Sequence, residues 1–236
     1  TNLESYTYSV TGQRATMSNE SGTQTFAYDK RDRLITNATP AGTLVYAYDE
    51  NGNLTNLMSL TPNGVSIGYQ YDALNRLTNV IDNRLTGTKN TAYTFDAVGN
   101  LRGLKYPNGV TNEWQYDSLN RLTNEFWKLN TTPLASFLYK LAHTGHRTNL
   151  SETVNGNSRA YAWSYDRLYR LTNETNSGVA PTGTIGYRLD AVGNRTNRTS
   201  TVSGILTTNN YFDANDWLDA DSTTNNGSAW FDKNGN

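Results

Sequence analysis

The chain lacks cysteine, and it contains only two histidines, two methionines and five prolines among 236 residues. The absence of cysteine excludes disulfides, thiolate metal sites and cysteine nucleophiles. No run of about 18 apolar residues is present, so we expect no membrane span. The formal net charge is −1, from 20 basic and 21 acidic residues, which leaves no basic excess for a nucleic-acid partner.

Aliphatic side chains are also scarce. Leu, Ile, Val and Phe together make up 44 of the 236 residues, or about 19%, which is near the composition of disordered chains. Disorder, however, requires a large net charge and few aromatics, whereas 11% of this chain is aromatic. Thr and Asn supply another 65 residues. The composition therefore favours a folded chain that is rich in strands and turns.

One pattern recurs through almost the whole chain. It consists of an aromatic residue, any residue, a second aromatic, Asp, two residues, Asn or Gly, and then a sequence such as Arg-Leu-Thr. The clearest copies are YQYDALNRLTN from Tyr69 and WQYDSLNRLTN from Trp114. The Asp position recurs about every 22 residues in about eleven copies. It falls at Ser9, Asp29, Asp49, Asp72, Asp96, Asp117, Lys140, Asp166, Asp190, Asp213 and Asp232.

The copies alternate between two kinds, one with Gly in the turn and one with Asn, Asp or Tyr there, so the unit is interpreted as a pair of about 45 residues. Short alternating runs of Tyr, Phe, Trp and Thr are typical of strands. Second turn signals lie between the copies. They are Pro62-Asn63-Gly64, Pro107-Asn108-Gly109, Asn155-Gly156 and Pro181-Thr182-Gly183. We predict an all-β fold of antiparallel hairpins, about twenty strands in one array over residues 1–236.

Two sets of residues define the repeat. The predicted turn residues cap backbone amides through Asp and accept a left-handed conformation through Asn or Gly. They are Asp29, Asp49, Asp72, Asp96, Asp117, Asp166, Asp190, Asp213, Gly52, Asn75, Gly99, Asn120 and Gly193. The predicted aromatic ladder packs along the sheet. It comprises Tyr28, Tyr48, Tyr69, Tyr71, Tyr93, Trp114, Tyr116, Trp163, Tyr165 and Tyr187.

These copies resemble the YD repeats of the Rhs family, which includes Rhs polymorphic toxins, Tc-toxin shell components, bacterial wall-associated proteins and teneurins. The strings that carry the resemblance are YDALNRLT at 71–78, YDSLNRLT at 116–123, FDAVGN at 95–100 and YPNGV at 106–110. The resemblance covers residues 6 to 236. It implies a continuous sheet that coils into a hollow shell, secreted or at the cell surface, which in toxin members encloses a C-terminal toxic polypeptide.

Neither end of the sequence carries a capping unit, so we expect the array to be a piece of a longer protein whose adjoining YD repeats are its first partners. The family's shell-closing motif and self-cleavage site have no match here. No catalytic fingerprint is present either. We therefore expect a non-catalytic segment without a cofactor.

Several residues admit a second interpretation. Asp49-Glu50-Asn51-Gly52-Asn53 superficially resembles a calcium loop, but its Gly is fourth and the twelfth position is Leu60, which cannot be a ligand, so turn capping is preferred. His143 and His146 lack an evident third ligand, and we expect no metal site. The arginines after the turns, Arg33, Arg76, Arg121 and Arg170, are expected to pair with the Asp of their own or of a neighbouring turn. Trp127, Trp217 and Trp230 lie outside the ladder and are the candidates for ligand contact.

Two functions follow from these observations. The first is a structural segment of a shell that encapsulates or presents a toxin. The alternative is a cell-surface binding module whose aromatic surface recognises glycans or a partner protein.

Overall fold

The computed structural model describes residues 4–84, 86, 89–212, 216 and 218–221. These residues form twenty β-strands and no helix, so the described part contains no helix that is long and apolar enough to cross a membrane. The chain divides into two compact units, residues 1–111 and 112–236. Each unit is described by itself below.

The first unit contains ten strands and the beginning of an eleventh. They are β1 (Ser5–Tyr8), β2 (Arg14–Asn19), β3 (Gly22–Tyr28), β4 (Leu34–Thr39), β5 (Gly42–Tyr48), β6 (Leu54–Ser59), β7 (Ser66–Tyr71), β8 (Leu77–Asp82), β9 (Asn90–Phe95), β10 (Leu101–Lys105) and β11 (Val110–Tyr116). The second unit takes up most of β11 and continues with nine strands. They are β12 (Leu122–Leu129), β13 (Thr132–Leu141), β14 (Arg147–Val154), β15 (Asn157–Tyr165), β16 (Leu171–Gly178), β17 (Gly183–Leu189), β18 (Arg195–Ser200), β19 (Thr208–Phe212) and β20 (Leu218–Asp221).

Strands that follow one another in sequence pair antiparallel within each unit. In β7 and β8, Tyr69 lies opposite Val80 and Gln70 lies opposite Asn79. The next pair continues the pattern, with Asn79 opposite Ala92. Because side chains alternate along a strand, one face carries Tyr69 and Val80 and is called the aromatic face, while the other carries Gln70 and Asn79. The predicted all-β fold of antiparallel hairpins is confirmed.

A β-bulge recurs at the same place in the hairpins. Tyr71 lies opposite Leu77 while Gln70 lies opposite Asn79, so Thr78 is the extra residue. The Thr78 hydroxyl donates a hydrogen bond of 3.1 Å to the Gln70 carbonyl oxygen. The same bond recurs from Thr123, Thr148, Thr172 and Thr196. The Thr of the Arg-Leu-Thr sequence therefore binds a carbonyl oxygen at the bulge, a role that the sequence pattern does not reveal.

Neither unit has a second layer in its described residues, since the strands that contact one another are consecutive in the chain. Among the described apolar residues only Ile185 and Val202 are buried. A sheet normally buries one face against another element, whereas here the aromatic ladder stays half-exposed. The folded structure of each unit therefore depends on strand pairing and on the turns.

Candidate functional site

The most regular part of the structure is the five-residue turn that begins at the Asp position, called the Asp turn below. At residues 72–76, the Asp72 carboxylate Oδ1 accepts hydrogen bonds from the backbone N–H groups of Leu74 (2.9 Å) and Arg76 (3.0 Å). Its Oδ2 accepts a bond of 2.7 Å from Arg76 Nε. The Asp72 N–H itself donates to the Arg76 carbonyl oxygen at 3.0 Å. One side chain thus closes the turn from inside.

The same arrangement recurs in the other turns. Asp29, Asp117 and Asp166 accept bonds from the backbone and the guanidinium of the arginine four residues later. In the alternate copies Asn takes the place of Arg, and Asn53 Nδ2 donates to Asp49 Oδ2 at 2.9 Å. Asp96 accepts equivalent bonds from Asn100, and the Asp190 carboxylate accepts the Asn194 N–H. Of the two pairings expected for the arginines, the carboxylate of their own turn is the one formed.

These bonds hold the aspartates in their charged form. The backbone N–H of Arg76 makes the largest contribution and lowers the pKa of Asp72. Burial opposes it, and the side chain of Arg76 and the backbone N–H of Leu74 lower the pKa further. The pKa values of Asp29, Asp117 and Asp166 are lowered in the same way by the backbone N–H of their arginines. The Asn53 side-chain amide lowers the pKa of Asp49. A hydrogen bond to the ionised form favours that form.

The fourth position of each described Asp turn has a left-handed backbone. Glycine fills it in one kind of turn, with φ of 97° at Gly52, 101° at Gly99 and 111° at Gly193. Asn75 and Asn120 fill it in the other kind, with φ of 60° and 59°. Tyr169 holds φ of 62° there, although bulky residues resist this conformation. Its backbone is therefore strained, and its side-chain contact must offset that strain.

The Asp turns with arginine at the fifth position are called arginine turns, and each of them is bonded to the turn that follows it. Arg76 Nη1 donates to the backbone carbonyl oxygen of Asp96 at 3.2 Å, and the guanidinium lies over the Phe95 ring at 4.7 Å from its centroid. Arg33 binds Asp49 in the same way at 3.0 Å. In the second unit, Arg121 and Arg170 donate to the carbonyl oxygens of Ala142 (3.0 Å) and Asp190 (2.8 Å). The arginine therefore serves two turns.

The Asp turns with glycine at the fourth position are called glycine turns. At three places a different contact joins a glycine turn to the turn after it. Asn53 Nδ2 donates to Asn75 Oδ1 at 2.8 Å, and Asn194 Nδ2 donates to Asp216 Oδ1 at 2.9 Å. At the corresponding place the His146 ring stacks on the Tyr169 ring, with centroids 4.8 Å apart. The fourth residue of an arginine turn therefore needs a side chain, because that side chain contacts the preceding glycine turn. This requirement gives a physical reason for the alternation of the two kinds of copy.

The tyrosine immediately before the Asp position adds a third connection between hairpins. The Tyr71 hydroxyl donates to the Leu54 carbonyl oxygen at 2.9 Å, and Tyr48 donates to Leu34 at the same distance. Tyr28 binds Arg14 at 3.0 Å, and Tyr165 binds Arg147 at 2.8 Å. The second aromatic of the repeat is therefore both a half-buried ring and a hydrogen-bond donor. In each unit, we call the row of Asp turns and these tyrosines the turn edge.

One position of the repeat was assigned wrongly from the sequence. The Asp position of the seventh copy was placed at Lys140, which implied two extra residues. In the structure Ala142 fills the position, since its N–H donates to the His146 carbonyl oxygen at 2.8 Å and Gly145 N–H donates back to Ala142. The copy has the usual length, but it has no carboxylate and only one aromatic, at Tyr139, before the turn.

The remaining predicted residues occupy the following places. Tyr69, Tyr93, Trp114, Tyr116 and Tyr187 are half-buried in their strands, and Trp163 stacks on Tyr161 with centroids 5.9 Å apart. Trp127 Nε1 donates to Glu125 Oε1 at 2.9 Å and borders a groove of about 400 Å³ with Phe126, Lys128 and Pro133. Asp213, Trp217 and Trp230 lie outside the described residues.

The described residues contain no group of three His, Asp or Glu side chains arranged to hold a metal ion. His146 is engaged with Thr144, at 3.1 Å, and with the Tyr165 and Tyr169 rings. The chemistry that the turn edge offers is therefore hydrogen bonding and ion pairing within the chain.

Residues 48–86 match the family model described as RHS Repeat. This segment spans two Asp turns, 49–53 and 72–76, and the contact between Asn53 and Asn75 that joins them. The segment is thus an RHS repeat, and the pattern that it carries recurs in the other copies along the chain. No curated protein matches it.

Solved structures similar to this chain include TcdB2-TccC3 without its hypervariable C-terminal region, at 15% identity and a TM-score of 0.47, covering 91% of this chain and 14% of that one. A Photorhabdus luminescens Tc holotoxin pore is 14% identical with a TM-score of 0.45, covering 92% and 13%. A porin-like protein from Bacteroides uniformis is 12% identical with a TM-score of 0.26, covering 93% and 92%. The identification of an RHS repeat rests on the match at residues 48–86 and not on these structures.

Proposed function

We propose that the chain is a non-catalytic wall segment of an Rhs-repeat shell that encloses a polypeptide, in a protein that is secreted or exposed at the cell surface. The observation that carries the proposal is the alternating set of contacts along the turn edge. Within each unit, neighbouring hairpins are bonded through the strand ladder and, at most of the Asp turns, through side chains. An array joined in this way can be continued by further hairpins without a packed second layer.

The half-exposed aromatic face supports the same proposal. A single-layer sheet with Tyr, Phe, Trp and Leu on one face exposes apolar area that an isolated soluble domain would bury. A wall that encloses a polypeptide offers that face something to contact. We propose a toxin as the enclosed polypeptide, because the repeats resemble those of Tc-toxin shell components.

Limited proteolysis of the full gene product that contains residues 1–236 tests the proposal. The comparison is between the wild type and a triple variant, Asp72→Ala with Asp117→Ala and Asp166→Ala, with Leu74→Ala as the control at an exposed turn residue. We expect a protected polypeptide in the wild type and in the control, and its digestion in the triple variant. Equal digestion of all segments in the wild type would contradict enclosure, as would full protection in the triple variant.

The alternative, a cell-surface module that recognises glycans or a partner protein, makes a separate prediction. It requires free ring faces beside polar groups, whereas Trp127 is bonded to Glu125 and Trp163 is stacked on Tyr161. A glycan array probed with the folded chain tests it, and reproducible binding that is lost in Trp127→Ala would favour it over the wall segment.

A further inference from the structure

The turn at residues 142–146, called the Ala142 turn below, differs from the other Asp turns in its first residue. In eight of the nine described turns, a side-chain oxygen of the first residue accepts the backbone N–H of the fifth. Seven of these oxygens belong to Asp, and the Ser9 hydroxyl supplies the eighth, 3.1 Å from the Gln13 nitrogen. Ala142 has no such oxygen. Among the turns that the structure describes, this one alone has no acceptor of its own.

The backbone of the Ala142 turn nevertheless has the hydrogen bonds of the others. The Ala142 N–H donates to the His146 carbonyl oxygen at 2.8 Å, and the Gly145 N–H donates to the Ala142 carbonyl oxygen at 2.9 Å. The same two bonds close the turn at 72–76, where the N–H groups of the third and fifth residues converge on one carboxylate oxygen. The N–H groups of Thr144 and His146 therefore converge in the same way, and in the described part of the chain neither donates a hydrogen bond.

The His146 side chain offers a third donor at this place. In the other turns the side chain of the fifth residue donates to the second carboxylate oxygen, as Asn53 Nδ2 does at 2.9 Å. His146 carries Nδ1 on its Cγ, as Asn carries Nδ2, and Nδ1 donates when it holds the proton. This nitrogen lies 3.1 Å from the Thr144 hydroxyl oxygen. The rings of Tyr165 and Tyr169 pack against the imidazole and hold it at the turn.

The charge around the Ala142 turn favours an anion. No acidic residue lies between Glu125 and Glu152 in the sequence, whereas that stretch contains three Lys or Arg residues. The carboxylates of the two flanking turns, Asp117 and Asp166, are each paired with their own arginine at 2.7 Å. The Arg121 guanidinium also donates to a backbone carbonyl oxygen of the Ala142 turn at 3.0 Å. An incoming anion therefore meets no unpaired carboxylate here.

From these observations we infer that the Ala142 turn binds a carboxylate supplied from outside the turn. One oxygen of the ligand accepts the N–H groups of Thr144 and His146, and the other accepts the proton of His146 Nδ1. Backbone N–H groups that converge in a turn form a concave anion site, and a group with two oxygens matches these donors. The carboxylate belongs to a free organic acid or to a polypeptide. The inference does not depend on whether the array encloses a polypeptide.

Amide chemical-shift titration by NMR tests the inference. Sodium acetate replaces sodium chloride at constant ionic strength, so that general screening by salt is the same throughout. We expect saturable shifts of the Thr144 and His146 amides, at least threefold larger than those of Val98 and Asn100, the equivalent amides of a turn with its own carboxylate. Equal shifts in the two turns would overturn the inference. Sulfate that binds as tightly as acetate would also overturn it, because the turn would then accept any anion.

Two variants give a matched comparison. Ala142→Asp supplies the carboxylate from within the chain, so the affinity for acetate should fall at least tenfold. Ala97→Asp adds the same charge at an exposed residue of a turn that already has its carboxylate, and it should leave the affinity within twofold. Circular dichroism melts establish that both variants are folded. Undiminished acetate binding by Ala142→Asp would place the anion elsewhere and overturn the inference.

A third variant tests whether the missing carboxylate is the cause. Asp72→Ala removes the acceptor of the Leu74 and Arg76 amides, and these amides should acquire a saturable response to acetate. No response in the folded variant would overturn the inference, because the same backbone donors would then fail to bind a carboxylate.

Two further probes identify the source of the carboxylate. N-acetylglycine carries only a main-chain carboxylate, and the α-methylamide of N-acetylglutamate carries only a side-chain carboxylate. Binding of either probe that is tighter than that of acetate assigns the ligand to a polypeptide. Binding no tighter than that of acetate assigns it to a free organic acid.

Discussion

Within each unit, the two edges of the sheet differ in how much variation in connection length they accept. On the turn edge, each of the nine described Asp turns connects its strands through five residues, from 9–13 to 190–194. On the opposite edge, called the return edge, the connections range from two to seven residues. The turn edge is crossed by side-chain contacts between neighbouring turns, such as Arg76 to Asp96 and Asn53 to Asn75. A turn that must contact two neighbours cannot change its length, whereas an isolated connection can.

The comparison predicts unequal responses to insertion, and this is the largest effect that we expect. Two residues, Gly-Ser, inserted between Leu74 and Asn75 separate Asp72 from the Arg76 amide that it caps and move Arg76 away from Asp96. The same insertion between Pro62 and Asn63 lengthens a return connection, at a loop-closure cost of less than about 0.6 kcal/mol, and disrupts only the local bond from the Gly64 N–H to the Thr61 carbonyl oxygen. Urea unfolding of the two variants should show a severalfold greater loss of stability for the first. Equal losses would contradict the distinction between the edges.

Tyr71 separates ring packing from hydrogen bonding at the turn edge. Tyr71→Ala removes a half-buried ring and its bond to Leu54, and we expect a loss of about 2 kcal/mol, below the value for a fully buried aromatic. Tyr71→Phe keeps the ring and removes only the bond, for about 1 kcal/mol. Thermal denaturation of both variants measures the difference. If Tyr71→Phe melts with the wild type, the hydroxyl does not join the hairpins.

Gly99 isolates the backbone requirement of the turn. A Cβ at Gly99 would meet no atom within 4 Å, so any cost of substitution is conformational. Gly99→Val should cost about 1–2 kcal/mol because φ is positive there. Gly99→Asn is the matched control, since Asn75 and Asn120 adopt this conformation, and it should cost clearly less. If the two variants unfold at the same denaturant midpoint, the left-handed conformation at Gly99 does not affect stability.

Ala142 allows the turn edge to be strengthened. It fills an Asp position without a carboxylate, so the amides of Thr144 and His146 lack the cap that Asp supplies in the other copies. Ala142→Asp should stabilise the chain by about 1 kcal/mol, by analogy with helix N-caps. Ala142→Ser, with a shorter acceptor, should give a smaller gain. A melting temperature that does not rise in either variant would show that the carboxylate is not what closes the turn.

The sequence predicts the local chemistry of this fold better than its longer contacts. The Asp turn is readable because its cap, its left-handed residue and its strand residues are all within five positions of one another. The partners of Arg76 and Asn53 are 20 and 22 residues away. Nothing in the local pattern states which neighbour an arginine reaches. From the sequence, the expected partners of each arginine are the carboxylate of its own turn and that of a neighbouring turn. In the structure the neighbouring turn supplies a backbone carbonyl oxygen instead.

Two further features escaped prediction for identifiable reasons. The role of Thr78 depends on a bulge, and a bulge shifts the register by one residue without a distinct sequence mark. The turn at Ala142 was missed because its two most informative residues are replaced, Asp by Ala and the second aromatic by Leu141. The Asp position was therefore placed two residues too early, at Lys140, and the copy was given two extra residues before Gly145. A comparison of turn lengths across copies would have found it.

Hydrogen exchange in an Arg76→Ala variant tests most directly the claim that neighbouring turns stabilise one another. Arg76 lies in the turn at 72–76, but its Nη1 also binds the backbone at Asp96. We predict faster exchange of the Val98 and Asn100 amides in the turn at 96–100. The amides of the variant's own turn, at 72–76, should also exchange faster. The return connection at 60–65 should exchange as in the wild type. Faster exchange confined to the turn at 72–76 would contradict the account.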